Sequence, residues 1–284
     1  MTIAVGNRCR WLVMAVVALL ATSVAGQQNP KALVSAMVDH ELHSQGAPHY
    51  WVYHDTKVEA GKTEVDRVLE TKQCWFRWPV SVNGHAPSAE ERASAKQRIE
   101  QLTGDASVRQ KSREQTKQDA KKAESLLKIL PDAFLFTEVA HNNDSVVLKF
   151  RPNPNYDPPS KEARVFHAMA GELVVDAKEK RLQKLSGTLS HTVDFGWGIL
   201  GKIHKGGTFL VRQSEVAPGD WELTKLDVNI TGRALFFHTI SEQQHEVMTD
   251  FQAAPTNISL KQAAQLVQRP DHEQNAVASA QPRQ

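Results

Sequence analysis

Arg181-Leu-Gln-Lys-Leu-Ser-Gly-Thr-Leu-Ser-His-Thr-Val-Asp-Phe195 is the stretch whose reading decides the fold. Leu185, Gly187, Leu189, Val193 and Phe195 fall on one side of an extended chain. Lys184, Ser186, Thr188, Ser190, Thr192 and Asp194 fall on the other. A period of two held this long marks a strand with one buried and one wetted face. Turn chemistry brackets it. Asp176-Ala-Lys-Glu-Lys180 precedes it, Ala217-Pro-Gly-Asp220 follows, and Thr231-Gly-Arg233 comes later. Pro218 suits the second position of a turn and Gly219 the positive φ that a type II turn needs next. Residues 164–251 therefore read as a run of long antiparallel strands.

Outward from that run the chain keeps to strands, with two helical interruptions. Asn29-Pro30 opens a helix whose Leu33, Val34, Met37, Val38 and Leu42 recur at helical spacing, closed by Gly46 and Pro48. Residues 49–82 form two or three strands turning at Ala60-Gly61, with the aromatic cluster Cys74-Trp-Phe-Arg-Trp78 at their end. The period then changes. Ser88-Ala-Glu-Glu91 is a capping box, and a second helix follows Asp105 and stops at Pro131. Strands return at Phe134–Ala140 and Ser145–Arg151. A proline-rich loop, 151–159, leads into the long meander. Ala234–Phe251 is too long for one flat strand, so a bulge is expected near Glu242–Gln244. A short helix is expected at Ser259–Gln268, and the tail beyond Pro270 has the composition of disorder.

Charge and composition narrow the function. Arg8 and Arg10 precede the apolar run Trp11–Leu20, which passes into small residues at Ala21–Gly26, the pattern of a cleaved export signal. Cleavage near Ala25 or Gly26 would leave a soluble periplasmic protein. Its charge balance would fall from 34 basic against 32 acidic side chains to 32 against 32. A neutral body argues against nucleic acid as a partner. Cys74 alone would remain, so the fold rests on its core rather than on disulfides. The expected organisation is a signal peptide at 1–26 and one domain at 27–254 with a helical insertion at 88–130. A short helix and disordered tail would occupy 255–284.

The motifs offer no reaction. Gly196-Trp-Gly-Ile-Leu-Gly201 matches the dinucleotide fingerprint, but a strand at Thr208 leaves no room for the crossover helix, so residues 196–207 read as a loop. His40 and His43 share a helical face as a zinc pair would, yet no HExxH occurs and spacing places no third ligand. No GxSxG or phosphate-binding loop is present, and Cys74 has no neighbouring His. Without a nameable acid, base, nucleophile, metal or cofactor site, the chain reads as a binding protein and not an enzyme. Arg109–Lys122 carries Arg109, Lys111, Arg113, Lys117, Lys121 and Lys122 against Glu114 and Asp119. Such a stripe is either a solvated helix face or a weak contact for anionic lipid headgroups.

Several segments carry a family likeness: Leu130-Pro-Asp-Ala-Phe-Leu-Phe136, Phe150-Arg-Pro-Asn-Pro154, Val165-Phe-His-Ala-Met-Ala-Gly171 and Leu173-Val-Val-Asp176. It continues through Phe195–Gly201, Lys205-Gly-Gly-Thr-Phe209, Trp221-Glu-Leu-Thr224 and Ala234-Leu-Phe-Phe237. In these the chain resembles the periplasmic lipoprotein-carrier superfamily, and more closely a group of bacterial outer-membrane lipoprotein-sorting-like proteins. The resemblance implies an α+β fold: a strongly curved antiparallel sheet, an incomplete barrel, covered by the N-terminal helix and the helical insertion. It implies a cavity for a lipid, acyl chain or acylated protein; an envelope scaffold with a self-filled interior is the alternative. The wall of such a cavity is expected to pair the sheet stripe Leu185, Leu189 and Val193 with the helix stripe Val34, Met37 and Val38. Trp197, Ile199 and Leu200 would stand on a mobile loop near its opening.

Overall fold

The computed structural model describes residues 29–43, 49–160, 162–195, 201–234, 238–255 and 257–269. The N-terminal run read as an export signal, the expected opening residues Trp197, Ile199 and Leu200, and the residues beyond 269 lie outside the described residues. No helix among the described residues is long and apolar enough to cross a membrane.

The protein is α+β, dominated by one antiparallel sheet. Helix α1 (Pro30–His43) leads into β1 (Trp51–Glu59), β2 (Lys62–Glu70) and β3 (Trp75–Val82). Helices α2 (Ala89–Gly104) and α3 (Ala106–Ala133) follow, then β4 (Phe134–His141) and β5 (Ser145–Pro152). A 3₁₀ segment, Glu162–Ala168, precedes β6 (Met169–Asp176), β7 (Leu182–Leu189), β8 (Val193–Phe195) and β9 (Gly201–Ile203). The chain ends with β10 (Thr208–Ala217), β11 (Asp220–Ala234), β12 (His238–Ala253) and α4 (Leu260–Val267). The sheet runs β3-β2-β1-β12-β11-β10-β7-β6-β5-β4, with β9 attached to β11 and β8 to β9. The end strands β3 and β4 do not pair, so the sheet is not closed into a barrel.

Local chemistry explains most boundaries. Ala60 and Gly61 both take positive φ, the two-residue turn that matches strand twist, and β1 pairs with β2 through it. Gly219 also has positive φ, after Pro218, between β10 and β11. The Ser88 hydroxyl accepts from Glu91 N–H while Glu91 accepts from Ser88 N–H, opening α2. Asp105 ends that helix and begins the next. Its N–H donates to Gln101 O, and its carboxylate accepts from Ser107 and Val108 N–H. Ser259 caps α4 in the same way as Ser88 caps α2.

Five expectations are corrected. The stretch 181–195 is not one strand. Pairing stops at Leu189, where the Ser190 N–H and hydroxyl both donate to Ala168 O at 2.7 and 2.9 Å and turn the chain out. Thr231-Gly-Arg233 is not a turn but the interior of β11. Gly232 is needed because a Cβ there would stand 2.3 Å from Lys202 O of β9. The bulge in the last strand lies not at Glu242–Gln244 but at Asp250. There β12 spends an extra residue between the Val52 and His54 pairings, in a left-handed conformation (φ 60). Helix α3 does not stop at Pro131 but continues to Ala133; Pro131 gives up its bond to the carbonyl one turn back, and the helix ends two residues later. The segment 196–207, read as loop throughout, also includes the short strand β9.

Packing divides by face. Directly paired residues on antiparallel strands share a face, so the register traces each side of the sheet. On one side Val34, Met37 and Val38 of α1 and Leu130 of α3 pack against Phe134, Val146, Leu148, Phe150, Leu173 and Val175 of the sheet. On the other, α4 sets Ala263 and Val267 against Val52, Leu69 and Phe76, with Ile99 of α2 joining them. The packed body therefore includes α4.

Candidate functional site

A continuous row of side chains crosses six strands on the α1 side. Leu148 pairs with Leu173, Leu173 with Leu185, Leu185 with Val211, Val211 with Leu226, and Leu226 with Glu246. Leu148 and Leu173 have no exposed surface, whereas Leu185, Val211 and Leu226 are half-buried. The next row is Phe150, Gly171, Gly187, Phe209, Val228 and Gln244. Its two glycines are required. A Cβ on Gly171 would lie 2.0 Å from Ser186 O, and one on Gly187 would lie 2.9 Å from the Phe209 ring. Ile230 extends the strip along β11, also half-buried. The result is an apolar strip that the helices cover at one end only.

A set of carboxylates adjoins the other end. Asp55 is 1% exposed, with Oδ2 accepting from Arg77 at 2.6 Å; Asp66 stands 3.6 Å from the same guanidinium. Burial, then the Asp55 charge beside it, raises the pKa of Glu246. Asp55 Oδ1 has no hydrogen-bond partner among the described residues. Burial, then the neighbouring Glu222, pushes Glu70 up to about 7. Burial also raises Glu222 and Asp66, and Tyr53 beside them. Trp51 joins two of these acids: its N–H donates to Glu70 at 3.3 Å and its indole N–H to Glu222 at 2.7 Å. Its ring packs edge-on against Phe251, which stacks on Tyr53. No group of three or more metal-ligating side chains is set to hold an ion among the described residues.

The residues expected to form the cavity wall separate. Val34, Met37 and Val38 are buried in the α1 core, and Leu185 packs against that core from the sheet. Leu189, the last residue of β7, packs in a smaller cluster with Ala168, and Val193, beyond the break at Ser190, joins it there. Trp197, Ile199 and Leu200 lie outside the described residues. Reading from sequence missed Phe209, Val211, Leu226, Val228 and Ile230. The signal was present: Leu226-Asp-Val-Asn-Ile230 alternates as cleanly as the stretch chosen to anchor the fold.

The opposite face of the same strands is polar. Thr137, Lys149, Glu172, Ser186, Leu210 and Asp227 form a row across it, walling an open groove of about 890 Å³. A second cavity, about 490 Å³, lies between α2 and β2–β3, beside the exposed Trp75. Comparison with protein families, with curated proteins and with solved structures yields no match to this chain.

Proposed function

We propose that this is an exported, non-enzymatic protein that binds a lipid or acyl chain in the cell envelope, along the apolar strip on β7, β10 and β11. The observation that carries the reading is the row Leu148-Leu173-Leu185-Val211-Leu226. It runs from fully packed to half-open without any change of chemistry. An acyl chain laid along its open part extends the core, and each methylene covered contributes about 0.8 kcal/mol without needing a hydrogen bond. The proposal includes a sheet bent round this strip as an incomplete barrel. The opposed pair Gly171 and Gly187, which removes two side chains from one row, supports such a bend. The basic and apolar N-terminal run supports export, as does the likeness to lipoprotein carriers.

Binding is tested with a fluorescent fatty acid and with native mass spectrometry after gentle extraction. The wild type is expected to take up the probe, and Val228→Asp, with its fold checked by circular dichroism, to bind at least about tenfold more weakly. Equal uptake by the variant removes the strip from consideration. A second reading, an envelope scaffold whose interior is filled by its own side chains, is favoured by one observation. Val34 and Met37 of α1 have no exposed surface, and neither lines the open groove or the second cavity. A wild type with a bare mass and no uptake supports that scaffold.

A further inference from the structure

Helix α3 is unusual in having no buried face through its middle. From Gln110 to Ser125 every residue is exposed, although the helix is packed at its end by Leu130 and Ala133. A helix polar all round is held by its own side-chain pairs or by a partner. Self-support is visible: Gln110 bonds Glu114, Gln115 bonds Asp119, and Lys128 bonds Glu124, each at i,i+4. These pairs leave most of the cations unused. Arg109 donates to Leu102 O and Thr103 O and is occupied, and Lys122 reaches Asp119 at 3.5 Å. Lys111, Arg113, Lys117 and Lys121 make no ion pair among the described residues.

Their placement is not random. At about 100° per residue, Lys111, Arg113, Lys117, Lys121 and Lys122 occupy one half of the helix circumference. Ser112, Thr116, Ala120 and Ala123 share the other half with Leu127 and Leu130, which pack toward α1. The small neutral side thus continues the line of Leu127 and Leu130, and Lys111, Lys117, Lys121 and Lys122 lie off that line, while Arg113 lies within electrostatic reach of Cys74. Glu114 lies among the cations, already engaged by Gln110.

We propose that the outward side of α3 docks flat on a bilayer surface rich in anionic headgroups. Arg113, Lys117 and Lys121 form an i,i+4 row with Lys111 and Lys122 at its flank, which can face a plane of phosphates, and the small neutral residues behind it let the helix lie without burying charge in the protein. The match is electrostatic and shallow, since the segment has no large apolar side chain to insert. Nucleic acid is the less suitable partner because the chain is otherwise neutral and carries an export-like N-terminus. The proposal does not depend on the acyl-binding reading.

The test is sedimentation with phosphatidylcholine vesicles, with and without about one-third phosphatidylglycerol, at low and high salt. Binding is expected only with the anionic vesicles, and in 0.5 M salt it should be lost, because screening then acts within about 4 Å. The variant carrying Lys111→Gln, Arg113→Gln, Lys117→Gln and Lys121→Gln should bind these vesicles at least about 100-fold more weakly. The free headgroup glycerophosphoglycerol should not compete. Fatty-acid uptake by that variant should equal wild type, which separates this surface from the strip. Equal affinity for neutral vesicles, unchanged binding by the variant, competition by the free headgroup, or tighter binding to duplex DNA than to vesicles at matched salt would each overturn it.

Discussion

Trp51 donates its indole N–H to Glu222 at 2.7 Å, fastening the start of β1 to the start of β11 across the intervening β12. The bond is made beside a ring already held by Phe251 at 6.1 Å. Replacing Trp51 by Phe keeps an aromatic ring and removes the donor. The expected cost is about 1–2 kcal/mol, read as a lower midpoint in urea without a change in slope. An unchanged midpoint would show that water replaces the bond at no cost.

Stability should fall as pH rises through neutrality. The pKa of Glu70 stands at about 7 in the folded protein against 4.5 for the free side chain. Between those values the native state holds a proton that the unfolded chain has released, so each step up in pH favours unfolding. Glu222 and Glu246 act in the same direction. The loss is complete above the folded value and amounts to about 3 kcal/mol for Glu70. Thermal melts at pH 5 and pH 8 should differ accordingly, with Glu70→Gln flattening the slope. Below about pH 4 the sign reverses, because Glu91, Asp105 and Asp250 have lowered values that protonation overcomes.

Two glycines should respond oppositely to alanine. Gly232→Ala drives a methyl group toward Lys202 O at 2.3 Å, so β9 should detach or the protein lose more than about 2 kcal/mol. Gly104, at the end of α2 with open space around it, should tolerate alanine or gain up to about 1 kcal/mol. Paired chemical denaturation curves decide both.

Arg67 is the anchor of α4. Its buried side chain donates to Val267 O at 3.0 Å and to Arg269 O, closing the C-terminus of that helix. Arg67→Met should release α4 from the sheet. Faster amide exchange and protease cleavage at 257–269, with β5 to β7 protected as before, would be the result. Unaltered exchange in α4 would mean that Ala263 and Val267 hold it unaided.

What was legible in the sequence was mostly local. Ser88 and Glu91, Asp105, Ala60-Gly61 and Pro218-Gly219 each act within four residues, and the structure has each where composition put it. The polar side of 184–188 was equally readable from alternation. The failures come from contacts distant in sequence. Gly232 looks like a turn until Lys202 is beside it, and the strand through Leu189 looks continuous until Ala168 accepts from Ser190. The carboxylates around Arg77 are scattered from Asp55 to Glu246, so no spacing rule could gather them. The strip was half legible: Leu185 was chosen, but its neighbours Val211 and Leu226 are set by register, which one chain does not announce.

The pairing of β1 with β12 reaches beyond the finished structure. Trp51 meets Ala253, so a strand near one end of the chain waits for one about two hundred residues later. A sheet joined in this way cannot reach its full width on a growing or partly delivered chain. Closing so long a loop before it is rewarded by contacts makes folding slow, and until then β1 and β11 each expose an edge that other strands can pair with. If the protein crosses a membrane as proposed, the delay is an advantage: the chain stays threadable until its last strand has arrived.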